Sequence, residues 1–193
     1  MSGNNQAIST NSEKTGKRSI VPVLWLMPLA FIIHDGEELL TMPHWIANHR
    51  SELDYLASKS ETAAEMIRSL PVTTKQTAIA IGVFLILFLV VTTGATILSK
   101  HGFWLYAYAA LLGILFLHVF THIAQAVIFA GYTPGLVGAV VVVIPAAIYI
   151  YKRLFEENLL TIKSAILTAL IGLVLFVPGA LLAQQIGQTL GSK

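Results

Sequence analysis

No cysteine occurs anywhere in the 193 residues. Disulfides and thiolate ligands are therefore excluded, and any bound metal must be held by nitrogen and oxygen donors. Charge is scarce as well. Only 11% of residues are Asp, Glu, Lys or Arg, against about 25% in a typical soluble domain. The net charge of +2 is too small to point to nucleic acid. There is no Gly-rich phosphate loop, no nucleophile elbow, no H-E-x-x-H and no internal repeat. What fills the chain instead is apolar: 55% hydrophobic residues and a mean hydropathy of +0.74. That balance argues for a membrane protein with several spans.

Residues 1–18 are polar and read as a disordered tail; residues 19–193 read as one integral membrane helical domain. Lys14, Lys17 and Arg18 precede an apolar run in the manner of a signal peptide. No small-x-small cleavage site follows, so residues 19–40 are expected to be a retained first span. Residues 41–75 form the long polar connection. Thr41-Met42-Pro43-His44-Trp45 is expected to break the helix, with Trp45 at the membrane interface. Leu53, Leu56, Ala63, Ile67 and Leu70 recur near helical spacing and predict one amphipathic surface helix ending at Pro71. Four spans follow: 76–98, with a small-residue patch at Thr92–Thr96 suited to packing, 103–130, a segment from the Gly131–Gly135 turn to about Tyr151, and about Ile162 to Gln184. The expected fold is an all-α polytopic membrane bundle of about five transmembrane helices plus one amphipathic surface helix. Lys and Arg in the short flanks, Lys100, Lys152, Arg153 and Lys163 among them, favour a cell-membrane protein with its N-terminus cytoplasmic and its C-terminus outside.

The first span ends in His34-Asp35-Gly36-Glu37-Glu38. Charge inside a membrane is expensive, so such groups mark a site by default. On a helix, His34, Glu37 and Glu38 share an arc of about 100°, with Asp35 to one side. The third span carries His118 and His122, four residues apart on one face with Thr121 and Gln125. Spans one and three run in the same direction. His34 and His118 each lie about fifteen residues from the start of their span, roughly 22 Å in. The two polar faces are thus expected at one level. Together His34, Glu37, Glu38, His118 and His122 supply three imidazoles and two carboxylates. By ligand type this set suits a divalent transition metal, Zn, Fe or Mn. One metal with a position left for water, and a Glu outside the ligand shell as general base, is one arrangement. A carboxylate-bridged di-metal site is another. Glu37 and Glu38 are the candidate catalytic residues. Thr121, Gln125, Tyr132 and His44 are candidate supporting residues, with Tyr132 at an entrance and His44 folded back towards the site. His49 and His101 read as surface residues. The bland alternative makes the histidines hydrogen-bonding partners of neighbouring helices and the carboxylates ion-pair partners of Arg50 or Lys75.

His34-Asp35-Gly36-Glu37-Glu38 at the end of a first span resembles the signature of the HXXEE family of small multi-pass bacterial membrane proteins. Pro43, Trp45, the histidines of the later span and Tyr132-Thr133-Pro134-Gly135 are consistent with it. The resemblance covers nearly the whole chain after the tail. The family is functionally uncharacterised, so the resemblance implies the fold and the weight of the site, and supplies no substrate. Three functions are expected in this order. The first is a metal-dependent membrane enzyme acting by hydrolysis or oxidation on a membrane lipid or hydrophobic small molecule. The second is an ion- or proton-linked binding or transport protein, ranked lower because spans four and five carry no charge at depth. The third is a structural protein with a polar inter-helix clamp.

Overall fold

The computed structural model describes residues 19–70, 73–98 and 102–191. The tail 1–18, Pro71, Lys100, His101 and Lys193 lie outside the described residues. Among the described residues all regular structure is helical. The first helix begins as α1 (Val21–Leu24) and continues after Trp25 as α2 (Leu26–Asn48). Pro28 lacks the N–H that the Leu24 carbonyl would accept four residues on. The buried Tyr108 hydroxyl donates to that carbonyl instead, at 2.9 Å, so the proline is accommodated by a neighbouring helix.

The break expected at Thr41–Trp45 does not occur, because α2 runs through Pro43 to Asn48. Its far end is held from outside. The Trp45 indole donates to the Tyr132 carbonyl at 2.9 Å, and its ring stacks on His49 and meets Phe129 edge-on. The single surface helix is also corrected. Two short helices, α3 (Arg50–Ala57) and α4 (Glu61–Ser69), form in its place. Ser60 turns extended and caps α4 by accepting from the Ala63 N–H, a stronger local signal than the loose apolar periodicity across it.

Among the described residues four helices are long and apolar enough to cross a membrane: Thr74–Leu98, Phe103–Ile128, Leu136–Glu156 and Ile162–Gly191. The first is α5 (Thr74–Thr93) with a π-helical turn at Gly94–Leu98. The second is α6 (Phe103–Ile128). The third joins α7 (Leu136–Gly138), a π-helical turn at Ala139–Val143 and α8 (Ile144–Glu156). The last is α9 (Ile162–Gly191), which passes through Pro178. The helix expected as the first span stands apart from these four, since α2 holds Asp35, Glu37 and Glu38 mid-helix. The small-residue patch packs as expected: Thr92 and Ala95 are fully buried, and Gly94 lies directly against the Trp104 ring.

Met27, Tyr108, Leu112, Val143 and Ile150 bury the inner faces of α2, α6, the Ala139–Val143 turn and α8. Helix α9 packs along α5 and α6. At Gly172 a Cβ would stand 2.8 Å from the Ala110 carbonyl, so two backbones touch there as small residues permit. Between α2, α5, α6 and α9 the packing leaves a cavity of about 780 Å³.

Candidate metal centre

The angular positions on α2 decide which group meets what. At about 100° per residue, Glu37 falls about 60° to one side of His34, and Glu38 and Asp35 about 40° and 100° to the other. The structure follows this order. His34 is buried in the middle. Glu37 turns to α7, where it accepts from the Gly138 N–H at 2.6 Å and the Val137 N–H at 3.3 Å. The Tyr132 hydroxyl donates to the same carboxylate at 2.7 Å. Burial and this bond hold the Tyr132 phenol above its ordinary pKa. A carboxylate at a helix start with two backbone donors is a well-satisfied one.

Glu38 turns the other way, to α6. Its Oε1 lies 3.3 Å from His122 Nε2, and His122 Nε2 lies 3.0 Å from His118 Nε2. The His34 ring meets those of His122 and His118 with centroids 4.7 and 5.8 Å apart. One donor atom from each of His34, Glu38, His118 and His122 lies within 4.8 Å of the others. Ligands on one ion at bonds of about 2.0–2.1 Å stand about 3.3 Å apart in a tetrahedron. The donors are thus slightly looser than a closed coordination shell.

The outward nitrogens of the imidazoles settle which way they face. His34 Nδ1 donates to the Gly135 carbonyl at 3.1 Å, and His122 Nδ1 donates to the Pro134 carbonyl at 2.9 Å. Both acceptors belong to one turn. Thr121 donates to the His118 carbonyl at 2.7 Å and so accepts from His118 Nδ1 at 3.0 Å. With every Nδ1 carrying the proton, the Nε2 lone pairs of His118 and His122 confront each other. A metal ion beside them, or a proton shared between the two nitrogens, satisfies that pair. Metal-binding histidines are held in this way, by an oxygen acceptor on the far nitrogen. The donor set therefore fits an ion of the Zn, Fe or Mn type.

The turn between α6 and α7 builds the site. Thr133 is fully buried and reaches the His122 carbonyl at 3.4 Å. Gly135 has φ of +82°, and a Cβ there would stand 2.6 Å from His122, 2.8 Å from Glu38 and 2.9 Å from His34. At Gly138 a Cβ would meet the His34 Cα at 2.8 Å. None of Thr133, Pro134, Gly135 and Gly138 was singled out as a site residue from sequence, although the Pro-Gly turn itself was visible. Of the expected residues, the structure gathers His34, Glu38, His118 and His122. Glu37, also on α2, lies beside them and is bonded to α7. Thr121 orients His118, and Tyr132 orients Glu37. Gln125 lines the cavity near His118 and His122. His44 is exposed on the outer face of α2 and is not brought into the group. His49 is half-buried against Trp45.

Glu38, His118 and His122 line the 780 Å³ cavity with Asp35, Thr77, Gln125, Thr168 and Gln184, and the rest of its lining is apolar, including Phe84, Phe88, Leu111 and Phe176. Comparison with known proteins places the site in context. Residues 25–150 match the model of a family described as a protein of unknown function with HXXEE motif. Within that span His34, Glu37 and Glu38 are the residues that spell the motif. No curated protein and no solved structure matches the chain.

Proposed function

The chain belongs to the HXXEE family, and from that premise we propose that it is a metal-dependent integral membrane enzyme acting on a hydrophobic substrate. The observation that carries this reading is the cluster of His34, Glu38, His118 and His122, with donor atoms within 4.8 Å and Nδ1 protons turned outward. A bound Zn, Fe or Mn ion would supply a Lewis acid and an acidified water to this site. The residues of the chain do the rest. His34, His118 and His122 hold the ion, with Glu38 as its carboxylate ligand. Glu37, bonded to Val137, Gly138 and Tyr132, fixes α2 against the turn that supplies the Pro134 and Gly135 carbonyls. The adjoining apolar cavity holds the substrate out of water. Its volume of about 780 Å³ lies within the usual range for ligand sites, about 300–1,000 Å³. The protein crosses the membrane several times, with α2 as a further span beside the four apolar helices and the N-terminus in the cytoplasm.

Elemental analysis of the protein purified in mild detergent tests the metal, beside His118→Ala and Glu38→Ala. The expected result is one equivalent or more of a transition metal in the wild type and less than a tenth of that in each variant. A folded wild type that takes up no metal after incubation with Zn, Fe and Mn would sink the reading. The 3.0 Å contact between His118 and His122 would then be a hydrogen bond sharing one proton, and the cluster a polar clamp between helices.

A further inference from the structure

Asp35 belongs neither to the donor group nor to the family motif. Its Oδ2 is buried and has no hydrogen-bond partner. A buried carboxylate oxygen without a partner is costly, and such an atom in a native protein calls for a missing partner. The position of Asp35 says where that partner comes from. It lies one helical turn from Glu38, on the side of α2 away from Glu37, and lines the same cavity as Glu38, His118 and His122. The cavity is therefore polar at one end. The residues lining it around Phe103 and Trp104, at the start of α6, are apolar. From Phe103 to Gln125 the wall follows α6 for about 33 Å at the helical rise.

The charge on the walls narrows the ligand further. No Lys or Arg among the described residues lines the cavity, while Asp35 and Glu38 both do. A phosphate or carboxylate head would meet two carboxylates and no side-chain cation. A hydroxyl or ammonium head would meet the acceptor that Asp35 leaves open. We propose that the cavity takes a single-chain amphiphile whose head donates hydrogen bonds and bears no negative charge, a long-chain alcohol or amine, and that Asp35 is the residue that receives that head. This rests on the reading of the site as one for a hydrophobic substrate and names the class of that substrate. The chain lies along α5, α6 and α9, and the head is presented to His118, His122 and Glu38.

The test uses full-length protein in lipid nanodiscs, stripped of metal by chelation so that no ion attracts an anionic head. Retention of radiolabelled hexadecylamine, hexadecan-1-ol and hexadecanoic acid is measured. The amine and the alcohol are expected to be held at least tenfold more tightly than the acid. Asp35→Asn, which keeps the shape, should reduce that preference to less than threefold. At Gly179, which lines the cavity, a Cβ would meet nothing within 4 Å, so Gly179→Phe should fill the space and lower retention of amine and alcohol alike. Equal retention of acid and amine by the metal-free wild type would overturn the proposal, as would a preference unchanged in Asp35→Asn. Should the Asp35 variant not fold, the wild-type preference and Gly179→Phe decide alone. Metal content is measured on parallel unstripped samples. Selective retention without metal uptake would fell the metalloenzyme and leave the cavity inference standing, and metal uptake without retention would do the reverse.

Discussion

At the scale of single residues, the centre depends on an atom that is absent. Gly135 combines a positive φ with contact distances below 3 Å from its missing Cβ to His34, Glu38 and His122. Any side chain there would both strain the turn and push three of the four donors apart. Gly135→Ala is expected to lower bound metal to less than a tenth of the wild-type content while leaving the helical circular dichroism intact. Thr121 gives a milder case, since it only orients His118. Thr121→Ala should weaken metal affinity ten- to a hundredfold, read by chelator competition, in line with the usual effect of losing an orienting partner. The four donors themselves were legible from residue type and helical spacing. The roles of Glu37 and Glu38 were not, because adjacent residues on a helix point about 100° apart and the choice between them depends on what stands on each side.

Among the elements, prolines show how far local rules reach. Pro43 predicts a break in α2 by its missing N–H and its effect on the preceding residue, yet α2 continues to Asn48. Trp45, bonded to the Tyr132 carbonyl and packed on His49 and Phe129, holds the continuation, and the contacts with Phe129 and Tyr132 come from a segment about ninety residues away. Pro28 is handled likewise, through Tyr108. Tyr108→Phe would leave the buried Leu24 carbonyl without a donor and is expected to cost about 1–3 kcal/mol, measurable as a lower thermal midpoint in detergent. The split of the connection into α3 and α4 rests on Ser60. Ser60→Ala should destabilise α4 by about 1 kcal/mol, read as faster amide exchange within Glu61–Ser69 alone.

For the whole molecule, the number of crossings is the open geometric question that an experiment answers directly. Among the described residues four helices meet the length and apolarity of a span, and α2 is the fifth proposed above. Five crossings put the two ends of the chain on opposite sides. The native lack of cysteine makes this simple to read. In intact cells, a membrane-impermeant maleimide is expected to label Lys193→Cys and to leave Ser19→Cys unlabelled until the membrane is opened. Labelling of both or neither would mean an even number of crossings. Helix α9 has a place of its own at this scale. It closes the cavity through Phe176, Gly179 and Ala183, and it lies beyond residues 25–150, the part that the family model matches.

Composition alone marked this chain as apolar enough for a membrane, because so little charge and so many apolar residues do not suit a soluble domain. Helical spacing alone paired His118 with His122 and placed His34 near Glu38, since those relations are local to one helix. The equal depth of the two segments, read from counting residues, was enough to bring them together. Tertiary structure decided the rest. It showed that the turn at Thr133–Gly135 supplies the carbonyls that orient two histidines, that Glu37 turns to α7 and Glu38 to α6, and that Asp35 faces a cavity. Each of these depends on which helix lies next to which face, and that is set by the packing of segments a hundred residues apart.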